Sequence, residues 1–237
     1  MRDAFEGRSE KVRIKMKKLF LCLLLAASTA SFAAADSIQV VSGSTTITVP
    51  GTGAATYSNS NLNGWDITIA AGSSNSPGIS PYGLDLTSIS ATCTGGPCSA
   101  SPLDIFYSDT GFTGSVAAGS FQTTYSATIT GSGTSTEIAW ANSANTLFAL
   151  GLGNKIGATV GPFSASGGFG TSVGGPGEAG PYSLTLEEIF NDNGGSSSFS
   201  ADANVIATPE PSSLLLLSSG LLMFPLAWEW RRRKVGE

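Results

Sequence analysis

No histidine occurs anywhere in the 237 residues. That absence removes Ser-His-Asp triads, histidine metal ligands and the commonest general base near neutral pH. Bases are scarce as well. From Asp36 to Ala207 the acids are Asp36, Asp66, Asp85, Asp104, Asp109, Glu137, Glu178, Glu187, Glu188, Asp192 and Asp202, while Lys155 is the single base. This stretch therefore carries a net charge of −10, and the whole-chain figure of −5 hides two basic ends. So few cations exclude nucleic acid as a partner, because phosphates are held by Lys and Arg. The same charge repels anionic surfaces and attracts divalent cations. No P-loop, dinucleotide fingerprint or EF-hand spacing is present. Gly167-Gly168-Phe169-Gly170 and Gly174-Gly175-Pro176-Gly177 are glycine-rich. Neither joins a strand to a helix, so both read as flexible loops rather than phosphate cradles.

Cysteine is rare too: Cys22, Cys93 and Cys98 are the only three. Cys22 lies in an apolar segment near the N-terminus, without a lipoprotein cleavage box around it. Cys93-Thr94-Gly95-Gly96-Pro97-Cys98 places the other two around a turn, and an even pair in an exported chain reads as a disulfide. A zinc site would need a second cysteine pair or histidines, which are lacking.

What is present in quantity lies at the ends. Met16-Lys17-Lys18 is a positive n-region, Leu19 to Ala27 an apolar h-region, and Ala33-Ala34-Ala35 a small-residue cleavage site before Asp36. Residues 16–35 are therefore expected to be a helical signal peptide cleaved between Ala35 and Asp36. Residues 1–15 are charged and unlike a signal, so translation is expected to start at Met16. At the other end, Leu214 to Trp228 is uncharged. As a helix it rises about 1.5 Å per residue and covers about 22 Å; a helix over about 212–230 just spans a core of about 30 Å. Trp228 and Trp230 suit the interface, and Arg231, Arg232, Arg233 and Lys234 suit the cytoplasmic side. Pro209 and Pro211 hold the preceding chain extended and exposed.

Pro209-Glu210-Pro211, the short apolar helix and the terminal basic cluster together resemble the PEP-CTERM sorting signal, over roughly Ala207 to Lys234. The resemblance implies export and recognition by an exosortase. It also implies anchoring in the inner membrane before the tail is removed, then delivery to the cell surface or extracellular matrix. Members of that family resemble extracellular proteins of Gram-negative bacteria that make exopolysaccharide or biofilm.

Between the ends, residues 36–207 are one domain's length and long enough for a real core. Polar and apolar residues alternate with period two at 37–41, 45–49, 66–70, 84–90, 103–108, 121–130, 137–141, 182–190 and 198–206, the pattern of half-buried strands. About nine strands separated by Gly/Ser/Asn turns predict an all-β antiparallel sandwich or jelly roll. Residues 161–180 read as a loop, and Ala144 to Leu152 as a turn rather than a helix because of Gly151 and Gly153. Residues 208–237 form the sorting signal.

Three kinds of chemistry fit this body. The favoured reading is a non-enzymatic structural protein of the cell surface or extracellular matrix, which needs no site; the other two are alternatives. A glycan-binding module would stack sugars on exposed aromatics, with Trp65, Tyr82, Tyr107, Phe112, Trp140 and Tyr182 as candidates, and with calcium held by Asp104, Asp109 or Asp192-Asn193 as an optional cofactor. A glycan hydrolase would need two carboxylates across a cleft. Asp104 and Asp109 sit near one strand end, whereas adjacent Glu187 and Glu188 point to opposite faces of a strand. The expected partners are the secretion machinery, the exosortase and exopolysaccharide, and the expectation is that the protein is not an enzyme.

Overall fold

The computed structural model describes residues 36–76, 83–94, 96–164 and 166–207. The expected signal peptide, the start at Met16, the Pro209-Glu210-Pro211 motif, the basic cluster Arg231 to Lys234 and the helix at about 212–230 lie outside the described residues. Among the described residues no helix is long and apolar enough to cross a membrane.

Among the described residues, twelve strands form two six-stranded antiparallel sheets packed as a β-sandwich. The strands are β1 (Ser37–Ser42), β2 (Thr45–Pro50), β3 (Ala54–Leu62), β4 (Trp65–Ser74), β5 (Gly83–Cys93), β6 (Leu103–Phe112), β7 (Phe121–Thr130), β8 (Thr134–Asn142), β9 (Val160–Ser164), β10 (Gly168–Gly174), β11 (Tyr182–Asn191) and β12 (Ser197–Ala207). Sheet A runs β2-β1-β6-β11-β8-β9, and sheet B runs β10-β7-β12-β5-β4-β3.

The nine strands expected from alternation are present, and three more are added. β3 is rich in Ser and Asn, residues depleted in strands, and lies at the edge of its sheet. β9 and β10 occupy the stretch expected to be a loop. The segment from Ala144 is indeed turns, closing with a short 3-10 helix at Leu152–Asn154.

The core lies between the sheets and is aromatic. Phe190 of β11 meets Phe199 of β12 at 5.0 Å between ring centroids, and Phe121 of β7 meets Tyr182 of β11 edge-on at 5.9 Å. Trp65 leans on Phe199 at 5.9 Å and donates its indole N–H to the Ser101 carbonyl at 3.4 Å. The Cys93–Cys98 disulfide forms beside this tryptophan, with Cα atoms 5.8 Å apart, and ties the end of β5 to the 3-10 turn Gly96–Ala100.

Buried carboxylates depart from the rule that acids stay in water. Asp36 is buried at the head of β1, where Oδ1 accepts from the Gly53 amide at 2.8 Å and Oδ2 from the Tyr107 hydroxyl at 3.2 Å. Asp109, Glu137 and Glu188 are fully buried.

The outer faces of the two sheets differ. On sheet A the connection at 143–159 crosses the middle strands. The Phe148 amide donates to Ser108 Oγ at 3.1 Å, Ser183 Oγ donates to the Thr146 carbonyl at 2.8 Å, and the Phe148 ring meets Phe106 edge-on at 6.4 Å. β6 and β11 are therefore buried on both faces. β12, the middle of sheet B, keeps an outward row of exposed and half-buried polar side chains.

Candidate functional site

The open face of sheet B carries the most exposed aromatic ring of the described residues, and the local sequence accounts for it. Gly168 and Gly170 face inward on β10. A Cβ on Gly168 would stand 2.3 Å from the Phe163 ring, and one on Gly170 would stand 2.5 Å from Val160 Cγ1. Both positions are empty because Phe163 fills the inner space and stacks on Tyr125 at 6.0 Å. Alternation then sends Phe169, Thr171 and Val173 outward. Phe169 is 69% exposed and Val173 is 63% exposed.

Register places polar side chains beside that ring. Phe169 lies opposite Ser126, which lies opposite Asp202; Thr171 lies opposite Thr124, then Asn204, then Asp85. Phe169, Ser126, Asp202, Thr124, Asn204 and Asp85 line a shallow depression of about 100 Å³. A bulge where β12 pairs with β5 leaves Ser88 at φ 56°, and its amide donates to Asp202 Oδ1 at 2.7 Å. Burial raises the Asp85 carboxyl above its ordinary range, and the charge of Asp202 raises it further. The surface thus offers an apolar ring, hydroxyls, an amide and two carboxylates. That set can stack on a sugar ring and hydrogen-bond its hydroxyls.

None of the aromatics singled out from the sequence takes this role. Trp65, Tyr107, Phe112 and Tyr182 are fully buried in the core, where large aromatics contribute most to packing. Trp140 is 7% exposed, on the covered side of sheet A. Tyr82 lies outside the described residues. Phe169 was legible only as part of a glycine-rich loop. The signal that could have found it is the spacing Gly168-Phe169-Gly170, one large side chain between two missing ones at period two.

The carboxylates singled out from the sequence do not converge on one cleft. Asp104 lies on the outer face of sheet A and Asp109 lies buried on the inner one, so that pair does not converge. Glu187 and Glu188 do point to opposite faces. On the outer face Glu187 is pushed up to about 7 by burial and by Asp104 beside it, with Lys155 opposing. Burial likewise pushes Asp109 up to about 6, against hydrogen bonds from Ser74 and the Thr110 amide. Asp192, with Asn193, sits in the β11–β12 connection, away from both. Among the described residues no three His, Cys, Asp or Glu side chains gather to hold a metal.

Inside the sandwich, Glu137 of β8 stands directly opposite Glu188 of β11. Tyr125 and Ser135 join hydroxyls across the two sheets next to them. No hydrogen bond satisfies the four carboxylate oxygens of the two glutamates, although Thr123 lies near enough to Glu137, and Tyr125 to Glu188, to oppose the upward shift of each. Burial dominates: Glu137 is pushed up to about 8, and Glu188 well above the carboxylate range, helped by Glu137 itself.

No family model matches the chain, and no curated protein matches it. Among solved structures it is similar to TmCBM61 in complex with β-1,4-galactotriose, at 7% identity and a TM-score of 0.36, over 72% of this chain and 88% of that one. It is similar to the enzymatically active domain of bacteriophage CBA120 tailspike protein 4 at 11% identity and a TM-score of 0.33, over 71% of this chain and 19% of that one. It is also similar to the family 11 carbohydrate-binding module from Clostridium thermocellum in complex with a β-1,3-1,4-mixed-linked tetrasaccharide. That match has 11% identity and a TM-score of 0.30, over 72% of this chain and 95% of that one.

Proposed function

We propose that residues 36–207 are an extracellular glycan-binding module whose binding surface is the outer face of sheet B. In this reading the two ends of the chain deliver it: a signal peptide exports it, and the tail around Pro209-Glu210-Pro211 hands it to an exosortase at the membrane. The module then sits in an exopolysaccharide matrix at the cell surface. The observation that carries the binding role is Phe169, 69% exposed beside Ser126, Thr124, Asn204, Asp202 and Asp85. A large apolar side chain held in water by a rigid strand has no packing role, and it suits the apolar face of a pyranose.

A glycan array with the purified protein, compared with its Phe169→Ala variant, tests the binding role. Binding that falls about tenfold or more, at unchanged thermal stability, is expected; that corresponds to about 1.4 kcal/mol. Binding equal in both proteins would place the site elsewhere. Reducing sugar should not accumulate from any glycan that binds, and its release would reassign the surface to a hydrolase. The delivery role is tested by Glu210→Ala: the variant should stay with the inner membrane, and arrival at the surface like the parent would refute sorting through this motif.

A further inference from the structure

We propose that the glycan held on sheet B is a cationic one, an amino-sugar polymer whose free ammonium groups seat between Asp85 and Asp202. The inference rests on the glycan-binding reading and narrows it to a chemical class.

Asp85 and Asp202 line the same depression, from the neighbouring strands β5 and β12. No base accompanies them. Lys155 is the only base between residues 36 and 207, and it bridges to Trp140 of sheet A, where its ammonium donates to Thr159. Two like charges held side by side on a partly desolvated surface raise each other's energy, and a cation between them relieves both. Burial raises the Asp85 carboxyl, and the charge of Asp202 raises it further.

The other features of the face fit the same ligand. The depression, about 100 Å³, is too shallow to enclose a sugar ring. It takes a substituent such as an ammonium while the ring lies over Phe169. Thr124, Ser126 and Asn204 remain for hydroxyls. The alternatives are disfavoured on charge. A polyuronate or sulfated glycan meets a body of net charge −10. A neutral glycan can stack but leaves the two carboxylates unpaired, so selectivity comes from the charge term.

The test is calorimetric titration of the full-length protein in detergent with a β-1,4-glucosamine hexamer, its fully N-acetylated counterpart and polygalacturonate. Titrations are run at about pH 6, below the ordinary range of amines. The glucosamine hexamer should bind at least tenfold more tightly than the acetylated one, and polygalacturonate should not bind. Raising ionic strength from about 0.05 M to about 0.5 M should erase most of the preference, because the screening length falls below about 5 Å. Asp85→Asn should also reduce it, and this variant leaves the Ser88–Asp202 hydrogen bond in place. Equal affinity for both hexamers, with Phe169→Ala abolishing both, overturns the amino-sugar class and leaves the glycan reading standing. Preference that survives Asp85→Asn and Asp202→Asn together overturns the site. Binding abolished by EDTA assigns the carboxylates to a metal instead and overturns the ammonium role. No binding to any glycan overturns both readings.

Discussion

Glu137 and Glu188 face each other across adjacent strands in the middle of the sandwich, both fully buried and neither carboxylate satisfied by a hydrogen bond. Like-charged residues directly opposite in a sheet destabilise it, so this pair favours the fold most while it holds protons. Together they titrate as one coupled system. The side chains facing them, Thr123, Tyr125 and Ser135, are neutral; the Lys155 charge opposes the upward shift of Glu137, and the Asp202 charge adds to that of Glu188.

Stability should therefore fall as pH rises. The folded pKa of Glu137 is raised to about 8, that of Glu187 to about 7 and that of Asp109 to about 6. A raised carboxyl binds its proton more tightly in the folded state. Its contribution is complete below the unfolded value of about 4.3 and is lost as pH climbs through the folded value. The window runs from about pH 4.5 to about pH 8, and Glu137 alone accounts for a few kcal/mol at about 1.4 kcal/mol per unit. Thermal melts should give a Tm roughly 10 °C lower at pH 8 than at pH 5. Glu188→Gln should flatten that slope and raise the Tm at pH 8. A Tm independent of pH, or higher at pH 8, would contradict protonation of the pair.

The inward glycines of β10 make a second prediction. Gly168→Ala puts a methyl 2.3 Å from the Phe163 ring and must push it off Tyr125. Overpacking of this kind costs about 1–3 kcal/mol, so the Tm should drop by several degrees and Phe169 should lose its fixed position. Gly153→Ala, where a methyl meets nothing within 4 Å, is the matched control and should leave the Tm unchanged. Similar effects at both positions would mean that Phe163 does not pack as described.

The disulfide makes the third. Cys93 and Cys98 close a loop of only six residues. Chain-entropy reasoning gives about 2 kcal/mol for such a loop, at the low end for disulfides. The double variant Cys93→Ser/Cys98→Ser should lower the Tm by roughly 4–8 °C while the protein stays folded. A fall beyond that range would mean that the bridge also supports packing around Trp65, which lies opposite Cys93 in the sheet.

Much of the fold was legible because a half-buried strand writes its two faces into alternate residues. β7 was read to its ends, and the opposed directions of Glu187 and Glu188 followed from period two alone. β9 and β10 escaped because glycine carries no side chain to alternate. The space left by the inward glycines of β10 is filled by Phe163 and Val160 of β9. The candidate site escaped for the same reason, since Phe169 stands between two glycines that carry no side chain to alternate with it.

The burial of Asp109, Glu137 and Glu188 was hidden by a different cause. Composition places acids at the surface, and only the packing of sheet on sheet can shut a carboxylate away from water. From the sequence alone came the all-β class, the disulfide, the exclusion of histidine chemistry and the acidity of the body, since these follow from residue types and local spacing. Which face of which sheet stays open was decided in three dimensions. Alternation gives every strand two faces, and it took the connection at 143–159, folding over sheet A through Phe148, to close one and leave Phe169 on the other.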